Sequence, residues 1–157
     1  PWVTNYLETL LVQVWYPCTV ASRGRHMRRT LLTHLEQTGD PAGVDYKLHD
    51  FGFRGVSSVE TAGLGGAAHL VHFRGTDTVP GVVLARRYYG ADMPGVSIPA
   101  SEHSTITSWG PGRELDAMRH VLAAYPAGLV ACVSDSYDVF RACRDYWGGE
   151  LRDAVLH

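Results

Sequence analysis

Four short stretches of this sequence carry residues able to do chemistry. Asp50, Phe51 and Arg54 fall within His49-Asp50-Phe51-Gly52-Phe53-Arg54-Gly55, and Asp77 ends Arg74-Gly75-Thr76-Asp77. Glu102, His103 and Ser104 are consecutive, as are Ser134, Asp135 and Ser136. His103 has the chemistry of a general base, a nucleophile or a metal ligand. Glu102 adjoins it, but neighbours on an extended chain point to opposite sides, so Asp135 is the better candidate to hold the imidazole. The plain alternative for Asp135 is a cap or turn residue before the last helix. Arg54, lying between Gly52 and Gly55, suits close approach of an anion, with a guanidinium that makes paired contacts to phosphate. Equally, those glycines can serve a turn that needs positive φ. Phe51 is either a core residue or a stacking platform for a planar ring. Asp77 either caps the following helix or accepts from an amide NH2 or a heterocycle N–H. A carboxylate in that second role attracts an amide and repels an acid.

The elements that must position these residues read as follows. Residues 1–45 form a helical lead-in. Asn5 with Glu8 resembles a helix start, Leu7, Leu10, Leu11 and Val14 share a face, and Pro17 is expected to end the helix. A second helix is expected over 26–37, closed by Thr38-Gly39-Asp40-Pro41. The basic cluster Arg23, Arg25, Arg28 and Arg29 reads as a solvated face, with an anion or RNA contact as the alternative. Over 46–157 the pattern is strand then helix, four times. Strands are expected at 46–52, 69–73, 96–100 and 129–133, and helices at 58–70, 80–89, 113–125 and 137–147. Ser57 with Glu60 is the expected capping box of the first of these helices, and Gly148-Gly149 the stop of the last. Gly63-Leu64-Gly65-Gly66 lies inside a helix and so marks close helix packing; it follows no strand, as a dinucleotide fingerprint would.

Strands alternating with helices imply a parallel sheet. The expected fold class is α/β: a partial α/β barrel of about four βα units, with a doubly wound sheet as the second choice. In either, ligands bind at the carboxyl ends of the strands, where each strand here delivers an ionisable group. Four units are half of an eight-stranded barrel and leave open edges. The chain is therefore expected to be an internal fragment of a larger catalytic unit.

Composition removes several alternatives. Fourteen Lys and Arg against sixteen Asp and Glu give a net charge of -2, which argues against nucleic-acid binding driven by bulk charge. No apolar run reaches the ~18 residues that cross a bilayer, so no membrane role is expected. Cys18, Cys132 and Cys143 are odd in number and form no CxxC, which fits a reducing, cytoplasmic compartment. The eight histidines show no zinc spacing, and neither a GxSxG nor a Walker A loop is present. No metal site is expected from these residues.

The strings Tyr46-Lys-Leu-His-Asp-Phe-Gly-Phe-Arg-Gly-Val-Ser-Ser, Gly75-Thr-Asp-Thr, Val96-Ser-Ile-Pro-Ala-Ser-Glu-His-Ser-Thr-Ile-Thr and Val133-Ser-Asp-Ser-Tyr-Asp resemble the nicotinamide phosphoribosyltransferases. The opening Thr4-Asn-Tyr-Leu-Glu-Thr-Leu-Leu is similar to the same family, so the resemblance runs along essentially the whole chain. It implies a type II phosphoribosyltransferase barrel and transfer of phosphoribose from phosphoribosyl pyrophosphate to nicotinamide, giving nicotinamide mononucleotide and pyrophosphate in NAD salvage. It implies that Phe51 stacks on the pyridine ring and that Arg54 contacts the ring and phosphate region. Asp77 would bind the carboxamide, while Ser97 and Ala100 would line the nicotinamide tunnel. His103 would be phosphorylated by ATP, with Asp135 and Glu102 beside it. Mg2+ would accompany phosphoribosyl pyrophosphate, and the full-length enzyme would be a homodimer. Family members are much longer, and their phosphate-binding loops lie outside this segment. The 157-residue chain is expected to be inactive alone. The other readings are a nicotinate phosphoribosyltransferase, which Asp77 disfavours, and a non-catalytic truncated binding subunit.

Overall fold

The computed structural model describes residues 2–156, and the chain divides between Ser97 and Ile98 into two compact units. The first unit opens with helix α1, Thr4–Thr38, 35 residues long and with no side-chain cap at Val3. Asn5 is therefore inside the helix, not its cap, and its carbonyl accepts from Thr9 Oγ1 at 2.8 Å. Pro17 does not end the helix, and the two expected helices are one. Proline removes the bond to the Gln13 carbonyl and costs about 3 kcal/mol in a helix interior. Packing on both sides of Pro17 offsets that cost. Tyr16 seats its hydroxyl against Gly65, and Gly24 is buried against the His72 ring, where an added methyl would lie 3.5 Å from the imidazole. Arg28 ties this half of α1 down, donating to the His72 carbonyl and pairing with Asp45, both at 2.6 Å. Arg23, Arg25 and Arg29 are exposed, as a solvated face requires.

A 3₁₀ turn, Pro41–Tyr46, leads to β1, His49–Asp50. Helix α2, Val59–His69, is capped by Ser58, whose Oγ accepts from Thr61 N–H at 3.0 Å. The cap thus falls one residue after the expected Ser57. Strand β2 is Gly75–Thr76, and helix α3 is Val79–Tyr89, ended by Gly90 at φ 65°. The strand expected at 69–73 is absent. His69 is the last residue of α2, and the His72 and Phe73 N–H groups bond the His69 carbonyl. An apolar run too short to distinguish strand from helix end misleads here.

β1 and β2 are parallel, with His49 opposite Gly75 and Asp50 opposite Thr76. Val96 bridges Gly75 in parallel from the other side. The expected parallel pairing forms, but as two-residue strands and single bridges, so the described residues make a small parallel sheet. The α2 glycines do pack closely. A methyl on Gly81 of α3 would meet the Gly66 carbonyl carbon at 2.6 Å. Phe73, Ala62, Ala85 and Val44 form the buried apolar part of this unit.

In the second unit Ala100 bridges Ala131 in parallel. Helix α4, His103–Thr107, is a short turn the sequence pattern does not announce, and α5 is Glu114–Ala124. The last segment is α6, Val139–Arg141, then a π-helix, Ala142–Glu150, then α7, Arg152–Leu156. Gly148-Gly149 does not stop it. The wide π turn absorbs both glycines and closes with Leu151 N–H on the Tyr146 carbonyl at 2.8 Å. Met118, Ala142, Tyr146 and Leu151 form the core, with Leu115, Leu122, Cys132 and Trp147 against it.

Because backbone faces backbone at Gly66 and Gly81, neither side can yield. Gly81→Ala is expected to lower stability by about 1–3 kcal/mol. A melting temperature equal to the unsubstituted protein's, read by calorimetry, would contradict this contact.

Candidate active site

The site residues lie at the ends of the paired strands, one cluster in each unit. In the first, β1 runs into Phe51, β2 into Asp77, and the Val96 bridge into Ser97. Asp77 N–H donates to the Asp50 carbonyl at 2.7 Å, which extends the β1–β2 ladder to the position where Asp77 leaves the sheet. Thr78 N–H then donates to Thr76 Oγ1 at 3.0 Å and turns the chain toward α3. The Asp77 carboxylate caps nothing; Thr78 is the N-cap of α3. Its Oδ2 lies 3.0 Å from His49 Nε2, and its Oδ1 accepts from Ser97 Oγ.

Phe51 is 57% exposed and so is not core. Asp50 Oδ1 accepts from Gly52 N–H at 2.8 Å, fixing the turn after β1 into the 3₁₀ segment Gly52–Gly55. Neither Gly52 nor Gly55 has positive φ, so the glycines beside Arg54 are not there for a left-handed turn. The Arg54 guanidinium carbon lies 5.2 Å from the Phe51 ring centroid, within cation–π range. The strand ends thus offer an aromatic face, a cation and a carboxylate.

In the second unit, the Ala100–Ala131 bridge aligns the segments that carry His103 and Asp135. Both alanines are exposed. His103 is the first residue of α4, and its Nε2 lies 2.8 Å from Asp135 Oδ1, with both side chains exposed. The N-cap of the last helical segment is Asp138, whose Oδ1 accepts from Arg141 N–H, so Asp135 does not cap it. Glu102 precedes α4 as an exposed residue whose side chain makes no capping bond. Ser101 Oγ accepts from Val133 N–H at 2.9 Å, locking the two segments just beyond the bridge. Ser134 Oγ donates to the Cys132 carbonyl and accepts from Trp147 Nε1–H at 2.8 Å. The π-helix therefore holds the loop that presents Asp135. Burial pushes the Cys132 thiol up, which keeps it protonated and removes it as a nucleophile.

Three participants escaped the sequence reading. His49 was readable only as a residue within a strand. Trp147 reaches Ser134 through a π turn that no local pattern marks. His69, 7% exposed, bonds the Gly75 carbonyl through Nε2 at 2.9 Å and stacks on Phe73. It pins the end of α2 to β2, and with it the position of Asp77.

Residues 46–157 match the nicotinate phosphoribosyltransferase (NAPRTase) family model, and the chain belongs to that family. A nicotinamide phosphoribosyltransferase of Xanthomonas campestris pv. campestris is 54% identical over 159 residues, covering 99% of this chain and 34% of its own. One of Acinetobacter baylyi is 36% identical over 160 residues, covering 99% of this chain and 32% of its own. One of Mycoplasma pneumoniae is 32% identical over 157 residues, with 99% and 32% covered. The chain spans about a third of the length of these curated relatives. Among the described residues no helix is long and apolar enough to cross a membrane.

Burial, the largest influence on His69, pushes its imidazole below the ordinary value of 6.5. The unfolded chain then takes up a proton near pH 6.5 that the folded chain resists, so stability is lost as pH falls through that region. Urea unfolding at pH 7.5 and 5.5 is expected to show this loss, and His69→Gln to reduce it. An equal pH dependence in the variant would show that His69 is not the group responsible.

Proposed function

We propose that the whole protein transfers phosphoribose from phosphoribosyl pyrophosphate to nicotinamide, releasing pyrophosphate and forming nicotinamide mononucleotide for NAD salvage. The observation that carries this reading is the Asp77 carboxylate, held as an acceptor at a strand end next to the one that exposes Phe51. The names of the relatives point the same way. Phe51 offers a stacking face to the pyridine ring, with added cation–π attraction once the ring becomes a pyridinium. Asp77 accepts from the carboxamide NH2, whereas the carboxylate of nicotinate would be repelled by it. Arg54 lies beside the ring and phosphate region. Ser97, which donates to Asp77, lies at the edge of this pocket for the ring. The paired strands belong, in this reading, to the type II phosphoribosyltransferase barrel of the whole protein.

ATP supplies a phosphoryl group to His103. Nε2–H of His103 donates to Asp135, which leaves the Nδ1 lone pair to attack the γ-phosphorus as its bond to the ADP oxygen breaks. Asp135 then balances the positive charge that develops on the ring. Glu102 stands beside this pair at the start of α4. No three His, Cys, Asp or Glu side chains gather as metal donors among the described residues. Mg2+ would accompany phosphoribosyl pyrophosphate as its counter-ion. The whole protein works in the cytoplasm as a homodimer, and the 157 residues alone are inactive.

The full-length protein incubated with γ-labelled ATP is expected to carry acid-labile phosphohistidine. His103→Ala should abolish it, and Asp135→Asn should slow its formation about tenfold or more, the worth of one hydrogen bond to a charged group. Label retained in His103→Ala would remove the histidine from this role.

A further inference from the structure

The proposed role of Asp77 leaves His49 without one, although its imidazole makes the shortest link between β1 and that carboxylate. His49 sits opposite Gly75 in the parallel register. Gly75 and Asp77 are two apart on an extended segment and so face the same side. One imidazole spans both. Its Nδ1 lies over Gly75, where an added methyl would come within 2.8 Å of it, and its Nε2 reaches Asp77 Oδ2 at 3.0 Å. Any side chain at residue 75 would displace the ring. The glycine of Gly75-Thr76-Asp77 therefore leaves room for His49, besides lying in the buried strand. Ser97 Oγ donates to the other carboxylate oxygen. The carboxylate is gripped from both sides, by a residue of β1 and by one following the Val96 bridge.

We propose that His49 is a positioning residue that sets specificity: its Nε2–H holds the Asp77 carboxylate in the one orientation that presents an acceptor to a ligand amide. A carboxylate has about four acceptor positions. The two bonds from His49 and Ser97 use one on each oxygen and leave the remaining lone pairs for a ligand N–H. Without His49 the side chain regains rotation at χ1 and χ2, and the amide must meet an acceptor that is no longer oriented for it. The ring makes no contact of its own with the ligand in this scheme. It acts through Asp77, so its loss should weaken recognition of the amide more than the transfer step.

This inference rests on the proposed nicotinamide reading, and the two fail separately in the same experiment. The full-length protein is assayed with phosphoribosyl pyrophosphate and ATP against nicotinamide and nicotinate in parallel. Failure of the unsubstituted protein to prefer nicotinamide would overturn the reading of Asp77 itself. Given that preference, His49→Phe, which keeps a ring but no donor, is expected to raise KM for nicotinamide about tenfold, with kcat changed about twofold at most. The nicotinamide-to-nicotinate ratio of kcat/KM should fall by about the same tenfold factor. His49→Gln, whose amide NH2 restores a donor at the distance of Nε2, should return the ratio to within about threefold of the starting value. An unchanged ratio in His49→Phe, or His49→Gln impaired as much as His49→Phe, would overturn the positioning role. Should His49→Phe fail to fold, His49→Gln against Ser97→Ala decides the matter. Ser97→Ala removes the opposite grip and should lower the ratio while His49→Gln keeps it; equal ratios in the two would overturn the proposal.

Discussion

The bond from Asp77 N–H to the Asp50 carbonyl, 2.7 Å long, is the constraint on which the first unit's chemistry depends. It is the last rung of a ladder only two residues long. Ladders this short contribute little by themselves. This one is fixed from both sides, by Arg74 N–H on the Asp45 carbonyl at 2.7 Å and by the reciprocal bonds between Val96 and residues 74 and 76. β2 is buried between these neighbours, so its polar groups have to be satisfied by them. Asp77 leaves the sheet at the point where that obligation ends. The carboxylate is therefore aimed by backbone bonding before any side chain grips it.

The same logic recurs in the second unit on a smaller scale. One bridge, Ala100 to Ala131, and one side-chain lock, Ser101 Oγ on Val133 N–H, bring His103 and Asp135 within 2.8 Å. Both side chains are exposed, so the pair by itself contributes little to stability. The order of the loop comes from Trp147 through Ser134. The candidate site groups stay accessible, while the atoms that place them are drawn from backbone and core.

Much of this was legible in the residues. The helices over 59–69, 79–89 and 114–124 follow from apolar spacing and punctuation, and the parallel pairing follows from alternation of strand and helix. His103 and Asp135 were paired by the direction of side chains on successive strands, and the structure brings those two together. Other features were not legible, for physical reasons that can be named. Pro17 reads as a stop because its local cost is visible and the contacts of Tyr16 and Gly24 that offset it are not. The run at 69–73 reads as a strand because its apolar residues serve a helix end, His69 turning inward to the Gly75 carbonyl. Gly148-Gly149 reads as a terminator, but a π turn tolerates both. His49 has no local signature, since only the register sets it opposite Gly75 and beside Asp77. At Pro17 and at 69–73, tertiary packing overrides a local preference.

The central claim is that a carboxylate at residue 77 selects an amide over an acid. Its most direct test is the Asp77→Asn substitution in the full-length protein, read as kcat/KM for nicotinamide over nicotinate with phosphoribosyl pyrophosphate. The account predicts a preference for nicotinamide of about a hundredfold or more in the unsubstituted protein, the scale expected when the wrong ligand leaves the polar groups of a site mismatched. In the variant that preference should shrink by at least about tenfold, since an asparagine can also donate to an acid. A ratio unmoved by the substitution would contradict the account.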